Sequence, residues 1–164
     1  MSQLLDLYRS LGNERYAGAI TQLAPYFGTI NPKFKDLRPG FCAIVIPNTR
    51  AVHNHLGTMH AIAICNGAEL VGGLTTDVSI PAGRRWIPVE MSVRYLAKAT
   101  TDVTVICDGQ TIDWSAIGNI VVPVAAADDT GKHIFQASSV PTLIEQSQLV
   151  ARNGLDHDDR LQRK

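Results

Sequence analysis

Net charge is the first thing this chain lacks. Fifteen basic and fifteen acidic side chains cancel to zero, which removes the broad basic footprint of a nucleic-acid binder. Charged residues make up only 18% of its 164 residues, so one domain with a real apolar core is predicted. Cysteine is scarce and poorly spaced for metal. Cys42, Cys65 and Cys107 are odd in number, far apart and beside apolar neighbours, the pattern of buried reduced thiols in a cytoplasmic protein. A membrane span is absent, and Asp6, Arg9 and Glu14 stand where a secretory signal would be apolar; neither a membrane partner nor export is expected. Repeats, low-complexity stretches and linkers are missing too. Residues 1–154 read as a single domain, and the charged, apolar-poor 155–164 as a solvated tail.

What is present begins with helix. Leu4, Leu5, Leu7, Tyr8 and Leu11 recur at helical spacing, Gly12-Asn13 breaks the run, and Tyr16, Ile20 and Leu23 predict a second short helix ending before Pro25. A strand is predicted near Phe27 to Ile30, then a turn at Arg38-Pro39-Gly40 and a buried strand from Phe41 to Ile46. After Pro81-Ala82-Gly83 the period changes to two. Val89, Met91, Val93, Tyr95 and Ala97 alternate with Glu90, Ser92, Arg94 and Lys98, predicting a long half-exposed strand that continues through Val103 to Ile106 after a bend. Asp108-Gly109 marks a hairpin, Ile117 to Val124 a strand, Asp128 to Gly131 a turn, and His133 to Val140 a last strand.

Charge is scarcest between Ala51 and Thr76, where Glu69 is the single formal charge among small and apolar residues. A helix is predicted from about Met59 to Thr75, capped by Thr58 or Gly57. Being apolar around its whole circumference, it should be buried on all sides inside a strongly curved sheet. The fold class is therefore α+β, one antiparallel sheet around one central helix with helices at the amino terminus. Gly67, Gly72 and Gly73 each lower helix propensity by roughly 1 kcal/mol. Either another backbone comes close to the helix there, or the helix ends at Gly72-Gly73. An ionised glutamate in such surroundings needs a partner or a chemical task. The partner would be Asn66, a hydroxyl or a backbone amide.

Asn54-x-x-Gly57-x-x-His60, with Glu69 nine residues after the histidine, resembles the entry to the central helix of the hotdog-fold acyl-CoA thioesterases. The likeness is to the phenylacetic-acid-type branch and an uncharacterised hotdog group, and spans about Phe27 to Val140, including the strand text from Val93 to Ala99. Where that family has two glycines after the histidine, this chain has Ala61-Ile62. The resemblance implies a thioester hydrolase working as a homodimer, with sites at the dimer interface and with pairing of dimers left open. Its substrate would be a thioester of coenzyme A or of an acyl carrier protein, and no metal or organic cofactor is needed.

Thioester hydrolysis needs donors for a developing oxyanion and a base or nucleophile at the carbonyl carbon. Free N–H groups at Met59, His60 and Ala61 in the first turn would supply the former, and Glu69 the latter. Nine residues separate His60 from Glu69 by about 13 Å and place them on opposite faces, so one site needs two chains. The catalytic candidates are Glu69, Asn54, His60, Gly57 and Ala61. Asn54 would orient water or hold the loop. Candidates for substrate contact are Arg50, His55, Met59, Arg94, Tyr95 and Lys98, with Arg84 and Arg85 as further cations for a coenzyme A phosphate. Apolar helix residues, Val93 and Tyr95 would line the acyl pocket.

Other chemistries match less of the motif. His55, fourteen residues before Glu69, has the separation seen in hotdog 3-hydroxyacyl thioester dehydratases, but their proline-rich loop is missing. A non-catalytic acyl-thioester-binding hotdog domain is the alternative outside enzymes, favoured by Ala61-Ile62. Cys65 lacks an evident activating base, and His53, His55 and His60 lack companion ligands for zinc.

Overall fold

A computed structural model describes residues 2–146. Helix α1 (Gln3–Leu23) starts at Ser2, whose hydroxyl accepts from the Leu4 N–H at 3.2 Å. Gly12 has a φ of 69° inside it, so the predicted break is a kink between two helical segments, made where only glycine adopts that backbone freely. Leu5, Tyr16 and Ile20 form its buried stripe. The Tyr16 ring meets Phe34 edge-on at 4.9 Å between centroids.

The strand predicted near Phe27 is a correction. Pro25–Ile30 forms a 3-10 helix, begun by a proline and ended by Asn31 in left-handed conformation (φ 46°). The proline presets helical φ and the asparagine reverses the chain. The first strand follows as β1 (Lys33–Arg38), then β2 (Phe41–Ile46), the latter as predicted.

Helix α2 (Ala61–Ser79) comes next, followed by β3 (Arg84–Tyr95), β4 (Val103–Asp108), β5 (Gly118–Asn119), β6 (Val122–Ala127) and β7 (His133–Glu145). All pairings are antiparallel, in the order β1-β2-β4-β6-β7-β3, with β5 against β7. β4 does not continue β3, because it lies between β2 and β6. The expected strand from Ile117 to Val124 is split. Gly118 has a φ of 91° and Ile117 and Val121 are exposed, so the short β5 turns away before β6 begins.

The sheet wraps α2, whose Ile64, Ala68, Leu70, Val71, Leu74 and Val78 are buried with the inward residues of β2, β4 and β6. The helix does not end at Gly72-Gly73. Close approach explains Gly67 and Gly73, and side chains make it rather than backbone, whereas a Cβ at Gly72 would make only ordinary contact with Ser139 at 3.5 Å. A Cβ at Gly67 would stand 2.7 Å from Ile46 Cδ1, and one at Gly73 would stand 3.0 Å from Trp86 Cη2. Burial is also not complete around α2. Glu69, Gly73 and Asp77 are half-buried and Ile62 is exposed, a stripe at helical spacing that faces edge strand β3 and the amino-terminal helices. All three cysteines are free and buried. No helix among the described residues is long and apolar enough to cross a membrane. The tail predicted at 155–164 lies outside the described residues.

Candidate active site

The loop before α2 is a tight structure organised by Asn54. Its N–H donates to Thr58 O at 2.8 Å and its Oδ1 accepts from the Leu56 N–H at 2.9 Å, while Gly57 takes a φ of 74°. Its Nδ2 donates to Thr58 Oγ1 at 3.0 Å. With both ends of its amide engaged, Asn54 holds the loop. Thr58 and Gly57 belong to that turn and do not cap the helix. The cap is His60, whose Nδ1 accepts from the Ile62 N–H at 3.1 Å.

This moves the helix start to Ala61 and corrects the expected row of free donors. The Met59 N–H donates to Ala99 O at 2.9 Å, and the His60 N–H to Val52 O at 2.7 Å. Both are spent on fixing the loop to the sheet. Among the described residues Ala61 N–H is the donor of the three with no acceptor, at the positive end of the α2 dipole. Met59 itself is buried in the core; its side chain is packing and not a substrate contact.

Eight residues further along α2, Glu69 faces a cavity of about 470 Å³. Pro25, Tyr26 and Phe27 form one wall, Ile62, Cys65 and Asn66 another, and Met91 of β3 a third. The Glu69 carboxylate has no hydrogen bond or ion pair with any described residue. Burial alone raises its pKa above the ordinary glutamate value. Asn66 is not its partner. Its Nδ2 donates to Tyr26 O and to Thr29 Oγ1, both at 3.1 Å, and its buried Oδ1 accepts from no described residue. Beside it Cys65 Sγ lies 3.4 Å from the Tyr95 hydroxyl. This contact raises the Tyr95 pKa, with a smaller contribution from burial.

His60 lines a different cavity, about 340 Å³, with Val52, His53 and Ala63. Tyr26, Ile62 and Asn66 border both spaces. His60 and Glu69 of one chain thus line different but adjoining spaces.

Residues 12–142 match the model of a domain family of unknown function, DUF4442. The chain belongs to this family. A crystal structure of the structural-genomics protein APC5556 is 50% identical, covers 87% of this chain and 97% of its own, and superposes with a TM-score of 0.81. The Pseudomonas aeruginosa protein PA5026, described as of unknown function and a probable thioesterase, is 21% identical over 76% of this chain and 90% of its own, with a TM-score of 0.68. The Haemophilus influenzae thioesterase HI1161 is 12% identical over 77% and 89%, with a TM-score of 0.67. No curated protein matches. At such identities the last two likenesses speak for architecture, and that architecture is the hotdog fold, as the resemblance implied.

The remaining candidates scatter. Arg50, His55, Gly57 and Lys98 are exposed, and His55 borders neither cavity beside α2. Arg94 lies in a groove on the outer face of the sheet together with Asp108, whereas Tyr95, its neighbour in β3, reaches inward to Cys65. Arg84 is held structurally by Glu145 at 3.1 Å and by Ala116 O. Met91, not Val93, reaches the Glu69 cavity. Unforeseen were Tyr26 and Phe27, which no motif marks. Cys65 and Asn66, by contrast, stand one turn before Glu69, at the i−4 and i−3 positions of the same face, and helical spacing alone could have found them.

Proposed function

We propose that this protein hydrolyses acyl thioesters of coenzyme A or of an acyl carrier protein, as a homodimer whose two sites each draw on both chains. The observation that carries the reading is Glu69, a half-buried carboxylate without a partner among the described residues, facing an open and largely apolar cavity. Such a group costs the fold stability, and a chemical task is the reason to keep it.

In this mechanism Glu69 removes a proton from a water that attacks the thioester carbon. A C–O bond forms, the carbonyl oxygen becomes an oxyanion, and the partner subunit's Ala61 donates its N–H to it. Collapse of the adduct breaks the C–S bond, and the proton held by Glu69 leaves with the thiolate. Direct attack by Glu69, giving a mixed anhydride that water then opens, uses the same groups. Within one chain Ala61 and Glu69 are about 12 Å apart along the helix, too far for a single carbonyl. The dimer is supported by β3, a twelve-residue strand at the sheet edge carrying exposed Ile87, Val89 and Tyr95.

The test is thiol release from a panel of acyl-CoA and acyl carrier protein thioesters by the wild type and by Glu69→Gln. Turnover that the variant loses supports the hydrolase. Absence of turnover on every member, with binding retained, would make this an acyl-binding domain instead.

A further inference from the structure

Beyond Glu69 the half-open stripe of α2 continues through Gly73 to Asp77. α1 and the 3-10 helix pass over this part of α2 and leave a second, smaller space of about 170 Å³. Ile20, Phe27, Leu70 and Leu74 line it, and the Trp86 ring closes one side. Ala24 and Phe27 border both this space and the Glu69 cavity, so the two adjoin. Gly73 makes the arrangement feasible. A Cβ there would meet the indole at 3.0 Å, so glycine lets Trp86 lie against the helix backbone one turn past Glu69.

The space is half open to solvent and its lining is almost wholly apolar, the character of a site for an apolar ligand group. An engineered apolar cavity of about 150 Å³ stays dry and accepts benzene. From this geometry we infer that the space under α1 is the acyl pocket, taking an uncharged tail about as bulky as a benzene ring, with Trp86 as the residue that limits acyl length. The inference rests on the thioesterase reading for the position of the carbonyl at Glu69. The tail then passes the Ala24 and Phe27 walls and stops at the indole. Asp77 at the far rim accepts a hydrogen bond from the Ser2 hydroxyl, so an acyl group ending in a carboxylate is disfavoured there.

Two measurements test this. The first is kcat/KM across butanoyl- to dodecanoyl-CoA and benzoyl-CoA, for the wild type, Trp86→Ala and the milder Trp86→Leu. Wild type should favour hexanoyl-sized or benzoyl groups over dodecanoyl, and both variants should raise the dodecanoyl-to-hexanoyl ratio by about tenfold or more, the scale on which apolar pockets discriminate chain length. An unchanged ratio in folded variants overturns the pocket. The second needs no turnover. Trp86 and Trp114 are the two tryptophans, so in Trp114→Phe the emission reports Trp86 alone, and a hexyl-CoA thioether should change it on binding. No change at saturation, or no binding, overturns the inference. A Trp86 response without hydrolysis of any thioester would retain the pocket and reject the hydrolase. Hydrolysis dependent on Glu69 but indifferent to Trp86 would do the reverse.

Discussion

Glu69 binds its proton more tightly in the fold than in the unfolded chain, because burial raises its pKa. Ionisation therefore lowers stability as pH rises from the ordinary glutamate value through the folded one, and the loss is complete above both. Glu69→Gln should raise the melting temperature at neutral pH and give no gain below the ordinary glutamate pKa, which thermal melts across pH will show. The same variant should lose turnover by about a hundredfold or more, the contribution of a general base. In the wild type, the acid limb of kcat/KM should lie above the usual glutamate range. Ala61 offers a second residue-scale test. It stands at the first helical position, where proline is tolerated, and His60 before it has φ −66° and ψ 134°, the backbone that a following proline requires. Ala61→Pro should keep the circular dichroism of the fold while removing the free N–H, and thiol-release assays should show kcat reduced by about 10²- to 10³-fold. Glu69 and Ala61 were both legible from charge scarcity and helix-end logic. The loss of Met59 and His60 as donors was not, since their acceptors are the carbonyls of Ala99 and Val52, remote carbonyls that local spacing does not reveal.

Elements with strong local signals were read correctly, as with β2 and the kink at Gly12. Errors fell where a single residue redirects the chain. Pro25 and Asn31 turned an expected strand into a 3-10 helix, Gly118 split another strand, and Asn54 drew Thr58 into a turn, which left His60 to cap α2. The glycines of α2 belong to this scale because they set how closely sheet and helix meet. Gly67→Ala gains about 1 kcal/mol of helix propensity. It also drives a methyl group to 2.7 Å from Cδ1 of the fully buried Ile46 and 3.3 Å from Val105, and overpacking of this kind costs about 1–3 kcal/mol. Urea denaturation should show a net loss on the order of 1 kcal/mol.

For the whole molecule, the shared site makes a prediction that no single-chain mechanism makes. Glu69→Gln and Ala61→Pro subunits, each inactive alone, should recover about one working site per mixed dimer when combined. A folded mixture that stays inactive would exclude the two-chain site. Charges placed on the exposed edge, as in Ile87→Asp with Val89→Asp, should give a monomer by sedimentation that keeps its secondary structure and loses turnover. The two edges of the sheet are unlike. β1 carries exposed Lys33, Lys35 and Arg38, has a bulge between Phe34 and Asp36, and has its Lys35 carbonyl already accepting from Asn13 of α1. β3 also has exposed Arg85, Glu90 and Arg94, Pro88 and a bulge between Pro88 and Glu90, and differs in exposing the apolar Ile87, Val89 and Tyr95 as well. A sheet that is adhesive at both edges can add copies without end and grow into a fibre. Among the described residues β1 exposes no large apolar side chain, so a dimer paired through β3, as proposed, would use the apolar edge of both copies, and growth would stop after a single step.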